Sequence, residues 1–245
     1  MAAALLNTLV ADMATGTVGA ARAAASTVSC SAATAIVRPN RPTHFVALRL
    51  PDTELHGAIA KLQAALTSSD RDLASCAVPP VKTHLTAFVM SLRDDEVGVA
   101  QEALAACQPL AASHFARPPR VALRGLSSFG TRVLYADIEP DEDRTQLVGF
   151  VTAVSDLFRQ RGLIDGGAEL WQPHVTVLKT SRAMGKGRAA KIPKIPTALW
   201  QGHADISFGT HTLPTLQLCS MGGGVEDDGY YRTLSELPLV YSLSS

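Results

Sequence analysis

Two segments of this chain repeat one pattern. His84-Leu85-Thr86-Ala87-Phe88-Val89 and His174-Val175-Thr176-Val177-Leu178-Lys179 each carry a threonine two residues after a histidine, inside an apolar, strand-forming run. Successive side chains of a strand point to opposite faces, so His84 and Thr86 share one face while Leu85, Ala87 and Val89 take the other. His174 and Thr176 repeat the arrangement. Two such strands facing one cleft supply an acid, a base and two hydroxyl clamps. An imidazole titrating near neutral pH can take a proton from an attacking hydroxyl or water, and a second can protonate the leaving oxygen of a phosphodiester. The threonine hydroxyls then hold the non-bridging phosphate oxygens. Zinc sites gather three or four His, Cys, Asp or Glu ligands, and neither motif has a carboxylate or cysteine within a few residues, so no metal and no cofactor is expected.

The elements that must position these residues can be traced from hydrophobic period and punctuation. A strand over residues 44–50 closes at Pro51, after which Asp52 or Thr53 caps a helix to about Thr67 with Leu55, Ile59, Leu62 and Leu66 on one face. The His84 strand follows. Asp94-Asp95-Glu96 opens the next helix, with Val97, Ala100, Leu104 and Cys107 as its buried stripe. Residues 120–126 and 133–138 alternate and form a hairpin through Ser127-Ser128-Phe129-Gly130-Thr131. A helix over about 144–161 ends at Gly162, the second motif strand comes next, and strands near 215–220 and 230–234 finish the pattern. The order strand, helix, His-x-Thr strand occurs twice, which predicts two similar α+β lobes with a cleft between them.

On these residues the chain resembles the 2H phosphoesterase superfamily, named for its paired His-x-Thr/Ser motifs. Further landmarks are Thr43-His44-Phe45-Val46-Ala47-Leu48, Ser128-Phe129-Gly130, Gln172-Pro173-His174-Val175-Thr176, Leu218-Cys219-Ser220-Met221 and Gly229-Tyr230-Tyr231, in order from about Pro42 to Leu237. They are similar to the branch that holds the phosphoesterase-like central domain of an A-kinase anchoring protein and, more distantly, the phosphoesterase domain of an activating signal cointegrator subunit. The resemblance implies a bilobal LigT-like α+β fold, two antiparallel-sheet lobes with pseudo-two-fold symmetry and helices on the outside. It also implies His84, Thr86, His174 and Thr176 as catalytic residues. No kinase-anchoring helix is expected, because Pro238 in Leu234-Ser235-Glu236-Leu237-Pro238 ends any helix early.

The 22 basic and 22 acidic side chains leave no overall field to draw in nucleic acid, so the expected ligand is a nucleotide or short oligonucleotide and not a long duplex. Cys30, Cys76, Cys107 and Cys219 have no paired spacing and read as reduced thiols of an intracellular protein, cytoplasmic or nuclear. Residues 1–41 form a separate Ala/Ser/Thr-rich region with Asp12 as its acid, read as a disordered tail or as a transit peptide to a plastid or mitochondrion. Residues 42–240 form the phosphoesterase domain. No apolar stretch reaches the length of a membrane span, so no membrane is expected as partner, and the chain is expected to be monomeric.

Two further residues are candidates for substrate binding. Phe129, in the hairpin loop, has a face on which a base could stack, with packing as the alternative. Lys179 follows the second motif and falls on the aliphatic face of a regular strand. Residues 181–194 carry Arg182, Lys186, Arg188, Lys191 and Lys194 without an acid, a solvated loop or a cationic lid over substrate phosphates. His44, His56, His114, His203 and His211 lack the paired pattern and are read as structural or surface residues. The function expected from all this is a metal-independent phosphodiesterase or cyclic phosphodiesterase on 2′,5′-oligoadenylate, 2′,3′-cyclic phosphate or related small substrates. The alternative is a module that binds AMP or CMP without turnover.

Overall fold

The computed structural model describes residues 41–68, 71–165, 170–185 and 193–239. Residues 1–40 of the segment 1–41 read as a tail or transit peptide, Cys30 among them, and Lys186, Arg188 and Lys191 of the cationic stretch lie outside them. In chain order the elements are β1 (His44–Arg49), α1 (Thr53–Thr67), α2 (Arg71–Ala74), β2 (His84–Met90), α3 (Val97–Ala105) and α4 (Gln108–His114). They continue with β3 (Arg120–Phe129), β4 (Val133–Ile138), α5 (Glu142–Gln160), β5 (Val175–Lys179), α6 (Thr197–Trp200), β6 (Ser207–Thr212), β7 (Thr215–Ser220) and β8 (Thr233–Pro238).

The strands join into one open antiparallel sheet in the order β6-β3-β4-β5-β2-β1-β7-β8. Its two halves correspond to the two expected lobes. In each half the motif strand lies at the inner edge, paired on its outer side with the strand that precedes it: β2 with β1, and β5 with β4. A single residue pair, Leu85 with Val175, stitches the halves together. Alternation along β1 separates the two faces of the sheet. Val46 and Leu48 enter the main core beneath the helices, and Phe45 and Ala47 join Cys219 and Tyr230 in a small cluster on the other face.

The main helices form where their sequences direct. Asp52 caps α1 by accepting from the Glu54 and Leu55 amides, and Leu55, Ile59, Leu62 and Leu66 are buried as the period requires. α5 begins slightly ahead of the sequence expectation, at Glu142, because the Asp141 carboxylate accepts from the Arg144 amide. Its end is a left-handed Gly162 at φ 71°, with the Leu163 amide bonded to the Phe158 carbonyl. Asp52 also accepts from His211 Nδ1 at 2.9 Å, tying the start of α1 to β6. His56 and His114 bond to the Leu50 and Leu110 carbonyls, so these histidines are structural.

Three local expectations are corrected. Phe129 is the last residue of β3, paired with Val133, because the turn is tightened to Gly130, Thr131 and Arg132 with Gly130 at φ 58°. Tyr230 and Tyr231 precede the last strand. They sit in a small hairpin closed by Gly229 at φ 84°, in which Asp228 accepts from the Tyr230 amide and Val225 bridges to Tyr231. β6 is a strand that the sequence does not announce, since only Phe208 and His211 along it are buried and no apolar alternation marks it. Among the described residues no disulfide joins Cys76, Cys107 and Cys219, and burial pushes the thiols of Cys107 and Cys219 up to about 11. No helix among the described residues is long and apolar enough to cross a membrane.

Candidate active site

The Leu85–Val175 pair fixes the geometry of both motifs. Both side chains are fully buried in the main core, so the residues on either side of them, His84 and Thr86, His174 and Thr176, face away from it. Extending the antiparallel register by one residue sets His84 opposite Thr176 and Thr86 opposite His174. Each histidine therefore lies across from the other motif's threonine.

The two imidazoles are oriented alike. His84 Nδ1 donates to the Lys82 carbonyl at 2.7 Å and His174 Nδ1 to the Gln172 carbonyl at 2.9 Å, in both cases two residues back. A carbonyl only accepts, so Nδ1 carries the hydrogen and Nε2 is left as the atom that gives or takes a proton. His84 Nε2 lies 3.0 Å from Thr86 Oγ1. His174 Nε2 has no partner among the described residues. Aromatic rings hold each imidazole: Phe45 and Tyr231 at 5.2 and 5.7 Å for His84, and Phe129 and Tyr135 at 4.9 and 5.1 Å for His174.

Both motif strands bulge directly after the threonine. In β2, Thr86 pairs with Ala47 and Phe88 with Val46, leaving Ala87 as the extra residue; in β5, Thr176 pairs with Tyr135 and Leu178 with Leu134, leaving Val177. The extra residue reverses the alternation. Phe88 turns into the core against Phe158 at 5.1 Å while Val89 emerges, and Leu178 is buried while Lys179 emerges. Lys179 was expected on the aliphatic face of a regular strand; the bulge places it on the face of the histidines. The β5 bulge is braced from α1, where Gln63 Nε2 donates to the carbonyls of Val78 and Val177 at 2.7 and 2.9 Å. In β2 the Thr86 carbonyl accepts from the Trp171 indole at 2.7 Å.

Residues 42–239 match the family model described as the AKAP7 2'5' RNA ligase-like domain. The chain belongs to this family. Human A-kinase anchor protein 7 isoform gamma is 26% identical to it over 203 residues, 80% of this chain and 57% of that protein, so the chain spans little more than half of that relative's length. Among solved structures, Escherichia coli LigT complexed with 3'-AMP matches with a TM-score of 0.53 at 17% identity, over 82% of this chain and 99% of LigT. TT0787 of Thermus thermophilus matches with a TM-score of 0.50 at 24% identity, over 80% of this chain and 97% of that one. These likenesses show the LigT-like fold that the sequence resemblance implied.

Within this AKAP7 2'5' RNA ligase-like domain the electrostatics of the two motifs differ. Burial drives the His84 pKa down to about 4; the Lys82 carbonyl opposes this, and the charges of His174 and Lys179 reinforce it. Burial also lowers the His174 pKa, with the Gln172 carbonyl and Asp137 acting to raise it and Lys179 to lower it. Lys82 Nζ lies 4.3 Å from the Tyr231 ring centre, and its own pKa is lowered by burial and by Arg182. Lys82, Lys179 and Arg182 thus gather at the end of the strand pair where β2 begins and β5 ends.

Sequence reasoning named both His-x-Thr pairs, Phe129 and Lys179 as candidates. It assigned no role to Lys82, Tyr135, Asp137, Trp171 or Tyr231. Lys82 had a signal, since laying Lys82-Thr83-His84 on Gln172-Pro173-His174 marks the position two before each histidine. Asp137 and Trp171 had none, because they come near the motifs only through strand pairing and a loop.

Proposed function

We propose that the chain is a metal-independent phosphodiesterase acting on small RNA-type substrates of the 2′,5′-oligoadenylate or 2′,3′-cyclic phosphate class. The observation that carries this reading is the register that sets each histidine across from the other motif's threonine, with Nδ1 of both imidazoles bonded to backbone so that Nε2 is the atom to exchange protons, open at His174 and bonded to Thr86 Oγ1 at His84. A phosphoryl group between them receives a hydrogen bond on a non-bridging oxygen from Thr176, and a second from Thr86 once its hydroxyl turns from His84 Nε2, and Lys179 offsets the charge that develops there. His84, held neutral by burial, takes the proton of the attacking hydroxyl as the new P–O bond forms. His174, beside Asp137, gives a proton to the departing oxygen as the old P–O bond breaks. The bound phosphate anion itself favours the imidazolium form of His174. The LigT crystals whose contents are named as 3'-AMP, NADP+ and ATP support a nucleotide-type ligand for the shared fold.

One observation favours a second reading, binding of AMP or CMP without turnover: burial works against the charged form of both imidazoles in the free protein. A turnover assay in excess EDTA separates the two. Its panel is 2′,5′-oligoadenylate, 2′,3′-cyclic nucleotides and 3′,5′-linked RNA, with His84→Ala as control. Cleavage lost in the mutant supports the enzyme, whereas tight nucleotide binding without cleavage supports the sensor. Cleavage equal in mutant and wild type removes the two-histidine mechanism.

A further inference from the structure

One wall around His84 is the hairpin made by the connection from β7 to β8. Residues 221–232 turn back over the β1 half of the sheet. At their base the Met221 amide bonds to the Thr43 carbonyl and the Ser220 amide to the Arg232 carbonyl, both at 2.9 Å. Within the hairpin the Glu226 amide bonds to the Tyr230 carbonyl, and Val225 bridges to Tyr231. Tyr230 is fully buried in the cluster of Phe45, Ala47 and Cys219. Both tyrosines stand edge-on to the His84 imidazole, with ring centres at 6.3 and 5.7 Å. The tip of the hairpin also lies close to the turn before β2. A Cβ at Gly229 would stand 3.5 Å from Val81, the neighbour of Lys82, whose carbonyl takes the His84 Nδ1 hydrogen.

Among the described residues one ion pair ties this hairpin to the sheet. Arg49 on β1 is the register partner of His84, so both side chains leave the sheet on the same face. The Arg49 guanidinium lies over the Tyr230 ring, 4.2 Å from its centre, and donates from Nη2 to Asp228 Oδ2. Asp228 Oδ1 meanwhile accepts from the Tyr230 amide at 2.9 Å, so a single carboxylate shapes the turn and grips the strand. Arg49 Nε is buried with no partner among the described residues, and Asp228 is the acceptor that the guanidinium has there. A cation so placed is costly to leave unpaired. Losing either member of the pair sends the other towards water and loosens Tyr230 and Tyr231 with it.

We infer that Arg49 and Asp228 are positioning residues: their ion pair latches the hairpin over His84, and the two tyrosines of the hairpin then fix the imidazole and keep water from it. The inference rests on the reading of His84 as a proton-transferring group and adds the residues that set its readiness. Other charged and titratable groups face the same imidazole and are unaltered by breaking the latch. They are Lys82 from the turn before β2, with its ammonium on the Tyr231 ring, His174 and Lys179 from β5, and Arg182, which acts on Tyr231. Burial does most to lower the His84 pKa, so an open hairpin raises it.

Two substitutions that remove opposite charges test the latch. By charge alone, Arg49→Gln takes away a cation and raises the His84 pKa, whereas Asp228→Asn takes away an anion and lowers it. Asn still offers an oxygen to the Tyr230 amide, so the turn is kept. A broken latch moves the pKa upwards in both. Proton NMR titration of the full chain, with His84→Gln identifying the His84 resonance, is expected to show the midpoint about one pH unit above the wild type's in each variant, a change of roughly tenfold in proton affinity. A midpoint that falls or stays in either variant overturns the proposal, whatever happens to the melting temperature. Should Arg49→Gln not fold, Asp228→Asn decides alone, because its charge effect and its latch effect have opposite signs. Turnover of the same panel of substrates keeps this apart from the phosphodiesterase reading, since the ascending limb of the pH profile should follow the midpoint. If the midpoint rises but the wild type turns nothing over, the latch stands and the phosphodiesterase reading fails. If turnover depends on His84 yet the midpoint is unmoved, the latch fails and that reading stands.

Discussion

The two halves of the sheet carry the same His-x-Thr sequence, the same Nδ1 bond two residues back and the same bulge after the threonine, yet their surroundings are opposite. Around His84 the protein closes in with Phe45, Tyr230 and Tyr231, and Thr86 lies on Nε2. Around His174 it opens, with Phe129 and Tyr135 on one side and a cavity of about 490 Å³ reaching α5 on the other. The register makes Arg49 of β1 and Asp137 of β4 equivalent, since Ala47 pairs with Thr86 and Tyr135 with Thr176. A cation thus stands in the closed half where an anion stands in the open one. The likeness of the motifs supplies the geometry of the proposed two-histidine site, and the unlikeness of their neighbours is the basis for the roles proposed for them. Burial lowers both imidazole pKa values, to about 4 at His84, and at His174 alone the Asp137 charge opposes the fall.

Removing either histidine is the strongest way to break this comparison. His84→Ala and His174→Ala are each expected to lower turnover by ~10²-fold or more, the usual scale for losing a general acid or base. Circular dichroism should show both variants folded. Turnover unaffected by one of the two would leave that motif structural only.

The pH profile sharpens the asymmetry. With His84 as base, activity rises as pH passes its pKa of about 4, and it falls at higher pH where His174 loses its proton. Asp137 raises the His174 pKa, so Asp137→Asn moves the descending limb to lower pH and leaves the ascending limb in place. Lys179 lowers both pKa values, so Lys179→Met moves both limbs to higher pH. An Asp137→Asn profile in which the ascending limb moves and the descending limb stays would reverse the proposed roles.

The bulges are tested through their brace. Gln63→Leu leaves the Val78 and Val177 carbonyls without its amide and is expected to cost about 1–3 kcal/mol in denaturant unfolding, the range for stranding buried polar groups. An unchanged unfolding midpoint would show that the bulge stands without it.

Acid has a smaller and graded effect. His84 has an ordinary pKa of 6.5 in the unfolded chain and about 4 when folded, so below pH 6.5 the unfolded state takes the proton more readily. The stability this group contributes is complete above pH 6.5 and is lost as pH falls towards 4. Melting temperatures across that window should fall less steeply in His84→Gln than in the wild type. Equal slopes would deny the burial of His84 any part in acid sensitivity.

The smallest expected effect concerns residues 1–41. A chain starting at Pro42, where the family match begins, should fold and keep the full activity of the longer one. A lower melting temperature would show that the preceding segment packs on the domain. A fluorescent protein fused behind residues 1–41 should enter an organelle if they are a transit peptide and stay diffuse if they are a disordered tail.

Much of the site could be read in the chain because local rules govern it. Period-2 alternation put each histidine and its threonine on one face, and the apolar stripe of α1 together with its Asp52 cap located the helix between β1 and β2. Glycine at φ 71° ended α5 where the sequence marked it. β6 was missed because an edge strand with few buried positions has no apolar pattern to show. The place of Phe129 was missed because a three-residue turn extended β3 through it.

By itself the sequence determined the duplicated motif, the face that each histidine shares with its threonine, and the order of strand and helix that repeats around it. These follow from dihedral geometry and from apolar period, which act over a few residues. Tertiary structure alone decided the single Leu85–Val175 pair that sets His84 opposite Thr176, the bulges at Ala87 and Val177 that turn Lys179 towards the histidines, and the gap that opens onto α5. Each of these depends on a partner far away in the chain: the register of β1 or β4, Gln63 from α1, the Trp171 indole on the Thr86 carbonyl. A strand's sequence states which residues alternate, but where the alternation slips is set by what the strand pairs with.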